Sequence, residues 1–181
     1  MLNDHTVSAV QRWIDRFVVR LDLCPFARGA LENGSVRFIL SEASDEAQLL
    51  QALKDALELL SGDPNIETAF VVHPNVLADF YDFNQFLGDC DRLLVAMDLE
   101  GVFQIASFHP HYQFAQTEPA DAENYSNRSP YPMLHILREQ SVERAVGAYP
   151  DIDKVPDRNV ETLNKIGVER LQLMWRACFE E

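Results

Sequence analysis

Three histidines stand where apolar runs end. His73-Pro74 follows the run Thr68–Val72, and His109-Pro110-His111 follows residues 102–108. Imidazole changes charge near neutral pH, so His109 can act as an acid/base, and a neutral ring readily binds divalent metals. With Glu42 or Asp79 as an oxygen ligand, His73, His109 and His111 could form a zinc- or iron-like centre. No pair of histidines at helical metalloprotease spacing accompanies them. Cys24, in Cys24-Pro25-Phe26, is a second chemical group: a thiol near a histidine can be a nucleophile. It follows the first predicted helix, whose C-terminal dipole disfavours a thiolate.

The third group is Asn127-Arg128-Ser129-Pro130-Tyr131-Pro132. Ser129 followed by Pro130 reads as a helix start, continued by Met133, Leu134 and Leu137. The free amides of such a helix end, with the Arg128 guanidinium beside them, would make a pocket for a carboxylate or phosphate. Asn127, Ser129 and Tyr131 would border it, with His135 and Arg138 following at helical spacing. The competing reading has Asn127 and Ser129 as helix caps, Arg128 paired with local acids and His135 satisfied in the core.

The elements that must position these groups are legible as apolar periodicities. Val7, Val10, Ile14, Phe17, Val18 and Leu21 predict a first amphipathic helix, stopped near Cys24 because the residue before Pro25 is pushed out of the helical region. Asn33-Gly34 marks a turn before a short buried strand, Val36–Leu40. A helix capped by Ser44 carries Leu49, Leu53, Leu57 and Leu60 and ends at Gly62-Asp63-Pro64. Strand two is Thr68–Val72. A helix from Phe80 to Met97 precedes strand three, residues 102–108; the rival reading pairs residues 93–98 with that strand as a hairpin. Residues 109–128 have no period, and a loop of that length is commonly functional or disordered. Tyr112, Phe114 and Tyr125 argue against disorder. The last helical segment begins near Pro156 and runs through Trp175, with a kink or break at Gly167.

This order predicts an α/β (or α+β) fold: a small three-stranded sheet, parallel or mixed, covered by helices, with a helical C-terminal part. In a parallel sheet, the strand ends carrying Glu42, His73 and His109 share the edge where such sheets bind ligands.

At 181 residues and 47% hydrophobic, the chain fits one domain, residues 1–181, with a full core. Charge is uneven. Residues 41–123 hold 2 basic and 16 acidic side chains, so the net charge of −14 comes almost wholly from the middle of the chain. Such a surface repels phosphate backbones and argues against nucleic-acid partners, while a local basic pocket could still take a small anion. No apolar run is long enough for a membrane span and no signal peptide is visible, which predicts a cytoplasmic protein. Three scattered cysteines, Cys24, Cys90 and Cys178, fit a reducing compartment, with the latter two expected in the core.

Three strings carry a family resemblance: Cys24-Pro25-Phe26-Ala27; Ala106-Ser107-Phe108-His109-Pro110-His111-Tyr112-Gln113-Phe114; and Asn127-Arg128-Ser129-Pro130-Tyr131-Pro132-Met133-Leu134-His135-Ile136-Leu137-Arg138-Glu139. Over nearly the whole chain the sequence resembles a bacterial family catalogued as domain of unknown function 1415. The resemblance implies a small stand-alone bacterial cytosolic protein and carries over no catalytic residues. On the residues alone, two functions compete. In one, an enzyme acts on a small anionic metabolite: Arg128 clamps the anion, His109 is the acid/base, and Cys24 or a divalent metal is the second participant. In the other, a noncatalytic ligand-binding or protein-interaction domain uses the same residues to order the long loop. A redox protein stands third, since Cys24 has no paired thiol.

Overall fold

Four strands form the sheet of this computed structural model, which describes residues 2–180. The three expected strands are β1 (Val36–Leu40), β2 (Thr68–Val72) and β3 (Phe103–Phe108). The fourth, β4 (Met133–Arg138), corrects the expected helix at that place. Strand order is β1-β2-β4-β3, with β1 and β2 parallel and β4 antiparallel to both β2 and β3. The sheet is therefore mixed. Since β1, β2 and β3 still point the same way, their carboxyl ends do share one edge, and β4 starts there.

Two signals bear on β4. Ser129 and Tyr131 each precede a proline, which disfavours helical backbone at both. The run Met133-Leu134-His135-Ile136-Leu137 is too short and apolar for periodicity to separate a helix from a buried strand. Pairing decides it: Leu134 and Ile136, both fully buried, lie on one face between Val71 and Ala69 of β2 and the neighbouring positions of β3.

The helices lie in two layers. On one face, α3 (Glu46–Gly62) and α4 (Phe80–Ala96) bring Leu49, Leu53, Leu57, Phe83 and Phe86 against Ala69, Val71, Leu134 and Ile136. Because α4 runs unbroken to Ala96, the rival hairpin is excluded. Asp45, one residue beyond the expected Ser44, caps α3 by accepting from the Gln48 amide. On the other face, α1 (Leu2–Trp13) passes into a π-helical turn, Ile14–Val19. Val10, Trp13 and Phe17 from this segment meet Leu163 of α6 (Val155–Ile166), Leu171 of α7 (Val168–Arg176), Phe70, Val72 and Met133. Gly167, at φ 82°, makes the break between α6 and α7 in a backbone conformation that favours glycine. Two helices have weaker signatures: the short α2 (Ala27–Glu32) after Cys24-Pro25-Phe26, and α5 (Glu139–Ala148) directly after β4.

Candidate functional site

His73 and His109 meet at the shared strand edge because side chains alternate along a strand. After Val72 and Phe108 point to one face, the next residues turn to the layer of α3 and α4. Both rings pack on Phe83, at centroid distances of 5.6 and 5.2 Å, and Phe80 adds a second ring 5.4 Å from His109. Both histidines are completely buried.

Their nitrogens are held by the loop between β2 and α4. His73 Nδ1–H donates to the Val76 carbonyl at 3.1 Å, which leaves the Nε2 lone pair buried and unpartnered. His109 Nε2–H donates to the Leu77 carbonyl at 3.1 Å, and its Nδ1 accepts the His111 amide at 3.0 Å. These partners fix neutral tautomers, and burial pushes the His73 ring down to about 4 and the His109 ring below its usual range. Leu77 itself takes φ 57°, an uncommon conformation for a branched residue. This turn presents its carbonyl to His109.

The exposed His111 ring lies 5.8 Å from His109. Among the described residues no group of three or more His, Cys, Asp or Glu is placed to hold a metal. Of the expected oxygen ligands, Asp79 accepts the Tyr81 and Asp82 amides as the cap of α4, and Glu42 is exposed. A divalent ion would need His109 to give up one of its backbone bonds.

The Asn127–Pro132 segment lacks the helix that the anion pocket requires, since β4 follows it. Arg128 donates from Nε to Tyr112 O at 3.0 Å and from Nη2 to Pro119 O at 2.8 Å, and its guanidinium lies 4.9 Å from the centre of the Tyr125 ring. Its charge is spent across the long loop. Asn127 reaches Ser107 O through Nδ2 and accepts the His109 amide on its own carbonyl. Ser129 is buried and donates to Tyr131 O, while Tyr131 packs edge-on against Phe179. Asn124, completely buried, accepts from Phe114 N and Thr117 Oγ1 and donates to Glu118 O. Together these bonds order residues 109–128.

As β4 residues, His135 and Arg138 face opposite sides, which corrects their expected grouping on one helical face near Pro132. Arg138 Nη2 donates to Leu60 O and Ile66 O at 2.6 and 3.1 Å, closing the end of α3. His135 is partly buried and stacks on Phe70 with centroids 4.0 Å apart. Thr68 Oγ1 donates to Ile136 O, so the 2.6 Å contact is His135 Nε2–H donating to Thr68. Burial holds this ring down to about 3.

Cys24 belongs to the opposite layer from His109, since its neighbour Leu23 packs in the core around Trp13 and Phe17. It lies before α2 as well as after the first helix, where the nearby Phe26 and Ala27 amides favour its thiolate. Burial nevertheless pushes its thiol up. Cys90 and Cys178 are buried, as their apolar stripes predict.

Two hollows border these elements. A shallow cleft of about 590 Å³ runs between the starts of α3 and α4, past Val76 and Leu77, with Asp45, Glu46 and Asp82 on its wall. A second groove, of about 320 Å³, lies on the other face between the π-helical turn, α2 and the β1 edge. Its lining includes Arg28 and Phe38, neither of which was singled out by residue type. Arg28 directly follows the first family string, and the period-two alternation of β1 puts Phe38 beside Phe70.

A family model described as a protein of unknown function (DUF1415) matches residues 5–173. No curated protein matches the chain, and no solved structure matches it. No helix among the described residues is long and apolar enough to cross a membrane.

Proposed function

The chain belongs to the DUF1415 family, and from that premise we propose that it is a noncatalytic domain that binds a small ligand. The observation that carries this reading is the engagement of the two groups best suited to chemistry. Both His109 ring nitrogens and two arms of the Arg128 guanidinium are bonded to backbone groups. An acid/base must exchange a proton with its substrate within hydrogen-bond reach. His109, buried with both nitrogens occupied, would have to break a loop contact to do so. The same bonds hold the 109–128 loop in one arrangement, and a preorganised scaffold lowers the ordering cost of binding.

The test is to incubate the protein with a deproteinised bacterial metabolite mixture and to measure every compound before, after and in the protein-bound fraction. Retention of one or a few compounds, recovered unchanged, is the expected result, and His109→Gln should retain them too. Consumption of a compound with appearance of a product, abolished in His109→Gln, would return the protein to the enzymes.

A further inference from the structure

We propose that the groove between the π-helical turn, α2 and β1 binds a small aromatic zwitterion of the aromatic α-amino acid class. This inference rests on the ligand-binding reading above and assigns it a site.

Three features of the groove select that chemistry. Its volume, about 320 Å³, lies at the small end of the range for ligand pockets, which suits one ring and a short polar head. One wall is Phe38 on the edge strand. Phe38 stacks on Phe70 with centroids 5.5 Å apart and planes 13° from parallel, and Phe70 stacks in turn on His135. A planar ring entering beside Phe38 would extend this row, and aromatic pairs gain free energy beyond their buried area.

The charges select the head group. Arg28 and Glu32 both line the groove, four residues apart on α2, at a spacing that ordinarily lets opposite charges pair. They form no ion pair or hydrogen bond with each other or with any other described residue. Asp15, also on the wall, is neutralised by Arg20 Nε at 3.0 Å. The groove thus offers one uncommitted cation and one uncommitted anion. A carboxylate can take the guanidinium fork and an ammonium can take Glu32, so a molecule carrying both satisfies the pair without leaving net charge.

The backbone supports a purpose-built site. Ile14, Asp15 and Val19 come from the π-helical turn, and such turns occur often at functional sites. By adding a residue to the helical turn, it displaces the Ile14–Val19 backbone relative to an α-helix along the groove wall.

The experiment titrates L-phenylalanine into the full chain and follows backbone amide chemical shifts. L-leucine (no ring), 3-phenylpropionate (no ammonium) and phenethylamine (no carboxylate) serve as comparison probes. Saturable shifts confined to residues around Phe38 and α2 are expected with L-phenylalanine, with each comparison probe binding roughly tenfold more weakly. Arg28→Gln and Glu32→Gln, both exposed, should each weaken L-phenylalanine by a similar factor while leaving the folded spectrum unchanged. Absence of saturable binding, equal binding of 3-phenylpropionate, or indifference to both substitutions overturns the proposal. Those failures leave the noncatalytic reading standing, whereas conversion of the bound amino acid would overturn that reading and keep the site.

Discussion

Acidification from pH 7 to pH 4 is expected to remove about 3 kcal/mol of folding stability through His73 alone. The buried ring gains its proton only near pH 4 in the folded chain, against 6.5 for an unperturbed histidine. Between those values the unfolded chain binds a proton that the folded chain does not. Stability is therefore complete above the unfolded value and falls as pH drops towards the folded one. His109 and His135, both also held down, act in the same direction. Urea unfolding across this range, compared with His73→Asn, isolates the effect. The asparagine amide can still donate to Val76 O but does not titrate, so the variant should show the flatter dependence. Equal slopes for both proteins would mean that His73 is protonated in the folded state, with its unpartnered Nε2 reached by water.

Replacing Asn124 by alanine is expected to cost about 3 kcal/mol and to open the 109–128 loop. The side chain is fully buried and makes three hydrogen bonds, to Phe114 N, Thr117 Oγ1 and Glu118 O. Each contributes about 1 kcal/mol net, and groups left buried without a partner would raise the total. Limited proteolysis should cut the variant between Phe114 and Asp121 at protease levels that spare the parent. Arg128→Met should produce a milder form of the same defect, because it removes two bonds to loop carbonyls. A variant as resistant as the parent would show that the loop is ordered by its aromatic contacts, Phe80–Tyr112 and Tyr112–Phe114.

Periodicity located β1, β2, α3 and the break at Gly167, and for α4 it favoured a helix over the rival hairpin at residues 93–108 because the apolar stripe continues from Phe80. It misplaced β4 for a physical reason. Ser129-Pro130 has the local chemistry of a helix start, while the strand exists because β2 and β3 leave a gap between them that only a strand can fill. Nothing within residues 129–138 encodes that gap, although the two residues preceding prolines weaken the helix. The site followed the same division. The gathering of His73 and His109 at one sheet edge was legible from strand direction and alternation. What those rings do there depends on the Val76 and Leu77 carbonyls, and on the left-handed turn at Leu77, for which a leucine is an unusual signature. Arg128 read equally well as an anion clamp or as a structural cation, since the Tyr112 and Pro119 carbonyls that engage it are distant in the loop and invisible to residue type. The groove at Phe38 needed the layer arrangement before Arg28, Glu32 and the β1 edge could be seen together.

On this reading His109 is a neutral ring committed to holding two loops together. Nitrogen NMR of the histidine side chains across pH 5 to 8 tests it most directly. The predicted spectrum has His109 as the Nε2–H tautomer at neutral pH, with Nδ1 unprotonated and accepting a hydrogen bond, and with its titration displaced below the ordinary histidine range. A His109 ring that titrates near its ordinary value, or that exchanges between tautomers, would contradict the account and restore it as an acid/base.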